Sequence, residues 1–280
     1  MSDDADLPRG RRLPGGLTLR ALVPNAITAA ALCVGLTGIR FAIAGDFEQS
    51  IRLVILAGLL DGIDGRIARL LKAQSRFGAE LDSLADSISF GVAPALIVYL
   101  WALKEVPRLG WFAALAFAIC CVLRLARFNA RIDLPDQPHK SAGFLTGVPA
   151  PVGAGLAFLP LYLWLASGRD PLRVPDALGA WSIDFQNPAL VGIWLVAIAF
   201  LMISSVPTLS WGRMRPRKNI RLEVIALAGI VVAALVTEPW LTLVVISVAY
   251  LLLIPVGLIA YMRVRRPRAA RALPQDVPGA

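Results

Sequence analysis

The sequence predicts an all-α protein, a polytopic transmembrane bundle of about eight spans with both termini cytoplasmic. Three observations lead there. Apolar residues make up 57% of the chain and charged residues only 17%, with a mean hydropathy of +0.68, too apolar for a water-soluble domain. The apolar residues gather into runs close to the roughly 20 residues that cross a bilayer. The basic residues gather in every second gap between those runs.

In chain order the expected spans are Val23–Ala44, Ser50–Leu71, Ser83–Leu103, Leu109–Leu125, Phe144–Ala166, Pro188–Val206, Leu222–Val236 and Trp240–Met262. The second is interrupted by aspartates, and the fourth and seventh are short. Pro149 and Pro151 are expected to bend or bound the start of the fifth. Arg9, Arg11, Arg12 and Arg20 precede the first span. Arg66, Arg69, Lys72 and Arg76 follow the second, Arg124, Arg127, Arg131 and Lys140 the fourth, Arg213 to Arg221 the sixth, and Arg263 to Arg271 the eighth. The intervening loops hold few basic residues, so an even number of spans keeps the alternation. Trp101, Trp111, Trp181 and Trp240 then fall near outer interfaces.

The organisation expected is a basic N-terminal segment (1–22), a catalytic membrane domain (23–207), a loop with a C-terminal hairpin (208–262) and a basic tail (263–280). The first 22 residues are polar and basic, unlike a cleavable signal. The tails, roughly Met1–Gly16 and Pro267–Ala280, are expected to be disordered. No strand alternation is visible. The net charge of +9 points to topology and anionic lipid rather than nucleic acid, because the charges sit beside apolar spans. Cys33, Cys120 and Cys121 lie in apolar runs without metal spacing, and read as small hydrophobes. His139 stands alone in a polar loop.

The chemistry lies between Leu59 and Phe90. At about 100° per residue, Asp61 and Asp64 share one helical face, and Asp82 and Asp86 share a face of the next helix. Gly58, Gly62 and Gly65 thin the first helix, so a neighbour can come close. A short cytoplasmic link makes the two helices antiparallel neighbours whose acidic faces can meet. Four ionised carboxylates there would repel. Either some are protonated, as in a proton relay, or cations bind among them. An all-oxygen donor set suits Mg2+, Mn2+ or Ca2+, and two such ions are a usual device for displacement at phosphorus. Arg69, Lys72 and Arg76 can meet phosphates or act only as topology signals. Gly65 and Gly78 leave room for a flat base or a ribose, and Ser75 offers a hydroxyl.

Asp61, Asp64, Gly65, Ala68, Arg69, Gly78, Asp82 and Asp86 write out Asp-x2-Asp-Gly-x2-Ala-Arg-x8-Gly-x3-Asp-x3-Asp. This resembles the signature of the CDP-alcohol phosphatidyltransferases. "VPNAIT" at Val23–Thr28 is similar to a Pro-Asn-x-x-Thr at the start of that family's first span. The resemblance implies a membrane helical bundle, usually a homodimer. It implies two divalent cations, Mg2+ or Mn2+, on Asp61, Asp64, Asp82 and Asp86, with Asp86 also the general base. Gly65, Ala68, Arg69, Ser75 and Gly78 would border the CDP group of a CDP-diacylglycerol. Asn25 and Thr28 would contact the nucleotide or cap the helix.

"FGVAPALIVY", "RLARFNAR", "GFLTGVPAPVGAG" and "LMISSVPTLSW" resemble the serine-accepting bacterial membrane branch of the family. That implies L-serine as acceptor, a bacterial inner membrane location and a site facing the cytoplasm. Arg124 or Arg127 would then hold the serine carboxylate or a lipid phosphate, or be positive-inside charges. Asn129 would reach the serine ammonium or cap its helix. Glycerol 3-phosphate, inositol phosphate or choline are the other acceptors to weigh. From a different class, the acids could serve an ion- or proton-coupled transporter. Their packing in one hairpin and the lack of a convincing internal repeat speak against it.

Overall fold

The computed structural model describes residues 19–130, 144–168, 172–173, 182–204, 207–209 and 221–271. The first hairpin pairs α1 (Leu19–Ile43) with α2 (Phe47–Leu70). Gly45, at φ +83°, makes the tight link between them, a conformation open to glycine because it lacks a Cβ. Asp46 then caps α2, its Oδ1 accepting from the Gln49 N–H at 3.0 Å. The two helices pack closely because Gly38 leaves room. Ser50, fully buried, donates to the Gly38 carbonyl at 2.7 Å. Helix α1 begins upstream of the expected Val23, so Pro24 lies inside it and not at its start.

Helix α2 ends in two tail bonds, Lys72 N–H to Arg69 O at 3.2 Å and Ala73 N–H to Ala68 O at 2.9 Å. Together they close a Schellman motif. Lys72 takes the left-handed position at φ +50°, where a residue with a Cβ costs about 1 kcal/mol more than glycine.

The next helix is continuous from Arg76 to Glu105 but not uniform. It runs as α3 (Arg76–Asp86), a π-helical segment (Ser87–Val92), α4 (Ala93–Ala102) and a 3-10 turn (Leu103–Glu105). It begins seven residues before the expected Ser83 because Ser75 caps it, accepting from the Gly78 N–H at 3.0 Å. The wide turn has a cause in the sequence. Pro94 has no N–H and its ring crowds the carbonyl four residues back, so the ladder shifts to i−5 bonds such as Ala93 N–H to Ile88 O. Within that turn three successive buried residues meet three different helices. Ser89 lies against Gly35 of α1 and Phe90 against Gly58 of α2. Gly91 lies against Cys121 of α5 (Pro107–Asn129).

The expected fifth span is corrected. Its first residues, Phe144–Thr146, form strand β1, and the helix starts only at Ala150. It is also broken, into α6 (Ala150–Ala157) and α7 (Leu159–Ala166). Pro160 removes the N–H that would serve the Leu156 carbonyl, and the Trp194 indole N–H takes its place at 2.8 Å. Strand β2 (Leu172–Arg173) pairs antiparallel with β3 (Ser182–Ile183), and β1 with β4 (Pro207–Leu209). The sequence shows none of these strands, which are too short for an alternation.

Asn187 caps α8 (Pro188–Ile203). Helix α9 (Arg221–Thr237) and α10 (Pro239–Arg271) form the C-terminal hairpin. Helix α10 continues through Pro267 to Arg271, so the tail expected to be disordered is helical there. At its other end Arg52 pins α10 to α2. It pairs with Glu48 at 2.6 Å and lies over the Trp240 ring at 5.6 Å. His139, Lys140, Arg131, Trp181, Arg213 to Lys218 and the terminal residues 1–18 and 272–280 lie outside the described residues.

Leu22–Ile43, Arg76–Glu105 and Pro107–Asn129 are long and apolar enough to cross a membrane. Helix α2 is long enough, at roughly 36 Å, but its second half carries the acids and arginines. The core between α4, α5, α7 and α8 is apolar, with Phe117, Tyr162, Leu195 and Met202 fully enclosed. Trp101 belongs to it, only 4% exposed and edge-on to Trp164, and is not an interfacial belt residue.

Candidate active site

Helices α2 and α3 bring the acids together. One carboxylate oxygen each from Asp61, Asp64 and Asp82 lie within 4.8 Å of one another. Asp86, one turn along α3, meets the Asp61 carboxyl within hydrogen-bonding reach. Like charges this close need a cation or a shared proton between them. Among the described residues all donors are hard oxygens, which fits Mg2+, Mn2+ or Ca2+. Among the described residues no cysteine belongs to the set. Cys120 and Cys121 sit on α5, and Cys121 is enclosed against Gly91.

Asp64 is 2% exposed and is held from behind. The Thr28 hydroxyl, on α1, donates to its Oδ2 at 2.6 Å and lies 3.1 Å from the Pro24 carbonyl. The shorter, charge-assisted contact takes the proton. Thr28 therefore neither caps α1 nor lies at the open side of the site: it orients an acid. Asn25, likewise inside the helix, packs against α3. A Cβ on Gly78 would come 2.8 Å from its Oδ1. Gly78 is thus a glycine because α1 and α3 meet there. Ser75 uses its oxygen as the α3 cap and keeps its hydroxyl proton for another partner.

Gly65 is different. A Cβ there would meet nothing within 4 Å, and the same holds at Gly62. No neighbour among the described residues explains these glycines. They line an open strip beside the acids, continued by half-buried Ala68 and exposed Arg69. Gly58 does not belong to the strip, since it packs on Phe90.

The end of α5 separates residues the sequence placed together. Arg127 turns away from the acids, its guanidinium donating to the Ile203 and Ser204 carbonyls at 2.9 and 3.3 Å. It caps α8. Arg124 is half-buried within electrostatic reach of Asp86, and its buried Nε has no hydrogen-bond partner among the described residues. Asn129 does not cap α5: its Nδ2 donates to Ser83 Oγ at 2.7 Å. That bond ties α5 to α3 beside Asp82. Ser83 was missed from the sequence, and only its place between two acids could have flagged it. Tyr250, on α10, also lies within electrostatic reach of Arg124 and had no sequence signal.

A family model described as CDP-alcohol phosphatidyltransferase matches residues 21–212, and one described as CDP-alcohol phosphatidyltransferase 2 matches residues 219–255. The chain is 39% identical to a CDP-diacylglycerol–serine O-phosphatidyltransferase of Mycobacterium tuberculosis, over 89% of this chain and 80% of that protein. A protein of the same name from Bacillus subtilis is 31% identical, over 66% of this chain and 88% of its own. Another, from Helicobacter pylori, is 40% identical, over 51% and 58%.

Proposed function

The chain belongs to the CDP-alcohol phosphatidyltransferase family, and from that premise we propose that it transfers the phosphatidyl group of CDP-diacylglycerol to L-serine, releasing CMP. It is an integral membrane enzyme with an acidic cluster able to hold a metal ion. The observation that carries the acceptor is the 39% identity over 89% of the chain to a serine transferase. Arg124 beside Asp86 supports it, because serine brings a carboxylate and a hydroxyl together.

In this reading Asp61, Asp64, Asp82 and Asp86 hold two divalent cations, Mg2+ or Mn2+, which when bound would neutralise the pyrophosphate. Gly65 and Ala68 leave room for the CDP group, and Arg69 meets its phosphates. Thr28 and Asn25 serve the same site indirectly, through Asp64 and Gly78, and Ser75 borders it. Asp86 accepts the proton of the serine hydroxyl, whose oxygen attacks the β-phosphorus as the bond to CMP breaks. Arg124 holds the serine carboxylate. The reading includes eight spans with both termini cytoplasmic and puts this chemistry at the cytoplasmic face of a bacterial inner membrane, as the alternation of basic residues between the apolar runs supports. Residues 23–207 form the catalytic domain and 208–262 the added hairpin, in a homodimer.

The test supplies serine, glycerol 3-phosphate and choline in turn to the purified protein with CDP-diacylglycerol and Mg2+ or Mn2+. Phosphatidylserine and CMP are expected from serine alone. Product from glycerol 3-phosphate and none from serine overturns the acceptor. Asp86→Asn should abolish turnover while CDP-diacylglycerol still binds, and near-normal activity in that variant removes Asp86 from its role.

A further inference from the structure

We propose that Asn129 is a positioning residue: through Ser83 it sets the rotation of α3, and with it how Asp82 and Asp86 are presented to α2. The inference rests on the reading of the four acids as cation ligands, whichever acceptor is used. It gives the asparagine of "RLARFNAR" a part other than contact with the acceptor.

Helices α2 and α3 each pack on α1 more than on each other. The gap between their acids is therefore set by how each sits on α1 and by how α3 is turned about its own axis. At its start α3 is seated where Gly78 meets Asn25. Beyond the acids, the π turn is seated on three helices at Ser89, Phe90 and Gly91. Asp82 and Asp86 lie in the stretch between these two seats. A rotation of about 20° there carries a group at the helix's outer radius of about 5–6 Å through about 2 Å. That is a large part of the 4.8 Å within which oxygens of Asp61, Asp64 and Asp82 gather.

Asn129 acts on that stretch. Its Nδ2 donates to Ser83 Oγ at 2.7 Å, and the same hydroxyl donates to the Ala79 carbonyl at 2.9 Å. A hydroxyl has one proton to give, so Ser83 meets Asn129 through a lone pair and needs a donor there. The Ser83 carbonyl in turn accepts from Ser87 Oγ at 2.8 Å. Around α3, Ser83 lies about 60° from Asp86 and about 100° from Asp82. A bond on that flank of the acidic face turns both acids together. The other end of the bond is firm. Cys121 is enclosed against Gly91, and two residues before Asn129 the Arg127 guanidinium holds the Ile203 and Ser204 carbonyls. Residues two apart point about 200° apart around a helix, so α5 ends as a strut between α8 and α3.

The experiment measures Mn2+ binding to the full-length protein in detergent or nanodiscs by electron paramagnetic resonance, without substrates. Melting temperature and the serine KM at saturating Mn2+ are read alongside. Parent, Asn129→Ala, Ser83→Ala and the double variant are compared. Both partners are partly open to water, so each single variant should weaken Mn2+ binding by about two- to tenfold, the worth of one neutral hydrogen bond. The double variant should bind no more weakly than the singles, because the two side chains act as one unit. The serine KM should stay as in the parent. Unchanged Mn2+ affinity, with or without a lower melting temperature, overturns the inference alone. So do additive losses in the double variant, or a raised serine KM at parental Mn2+ affinity. A parent protein that binds no Mn2+ overturns the metal reading and this inference with it. A parent that binds Mn2+ but is idle with serine overturns the acceptor, and the Mn2+ comparison still decides the role of Asn129.

Discussion

Thr28→Val removes one hydroxyl and almost nothing else. The two side chains have nearly the same shape, and Thr28 is 5% exposed, so no cavity opens. What is lost is the 2.6 Å bond to Asp64 Oδ2. A hydrogen bond to a charged partner is worth about 1.5–3 kcal/mol net. Asp64 is 2% exposed, so water does not replace the missing donor. Spread over a ligand set, that energy corresponds to the 10–100-fold loss of metal affinity typical when a ligand's supporting group is removed. The assay is CMP release at saturating substrates while Mn2+ is titrated, with Mn2+ binding followed directly by electron paramagnetic resonance. The half-saturating Mn2+ concentration should rise by about 10–100-fold, with activity largely restored at high metal. Thr28→Ser, which keeps the hydroxyl, should behave like the parent. A lost activity with an unchanged Mn2+ requirement would refute the reasoning, because Thr28 would then act on something other than Asp64's grip on a cation.

Two further outcomes separate glycines and arginines that look alike in the sequence. Gly65→Ala should not lower thermal stability, since nothing among the described residues lies within 4 Å of the new Cβ, yet lower kcat/KM for CDP-diacylglycerol by about a hundredfold through misplacement of the nucleotide. Gly78→Ala should do the opposite, losing about 1 kcal/mol of stability against Asn25 with a smaller effect on that constant. Arg127→Ala should lower stability by up to about 3–6 kcal/mol, the worth of two charge-assisted bonds to the end of α8 at about 1.5–3 kcal/mol each. Its serine KM should not move, as read by thermal melting and initial rates.

The acidic faces were legible because a helix has a fixed period. Spacings of three and four between aspartates need no tertiary knowledge to put them on one side, and the structure brings Asp61, Asp64 and Asp82 within reach of one another. The partners of Arg127 were not legible. They are backbone carbonyls 76 and 77 residues away, and a carbonyl has no residue-type signature. The same holds for Asn129 and Ser83, 46 residues apart, and for Thr28, whose polar side chain reads equally as cap, ligand contact or support. Glycine carried the most ambiguous message. Gly65 and Gly78 occupy equivalent places in the sequence pattern, yet one faces open space and the other a neighbouring side chain. The break at Phe158 was half legible: Pro160 predicts a lost bond, but not that the Trp194 indole repairs it. Proline spacing at Pro149 and Pro151 hinted at the late start of α6, while β1 and β4 are too short to leave any pattern.

The wide turn at Ser87–Val92 makes one continuous helix behave as two cams on a shaft. An extra residue in a turn resets the angular phase by about 100°. The acids before it and the packing residues after it are therefore aimed independently: Asp82 and Asp86 toward α2, Ala93 to Ala102 toward the apolar interior. A uniform α-helix through Pro94 would couple these directions, and any sequence that packed the core well would have to accept whatever angle the acids then took. With the offset built into the backbone, the core half can drift in sequence while the acids stay on target, provided the number of residues in the turn does not change. Substitutions in the core half are tolerable; a gain or loss of one residue in the turn is not.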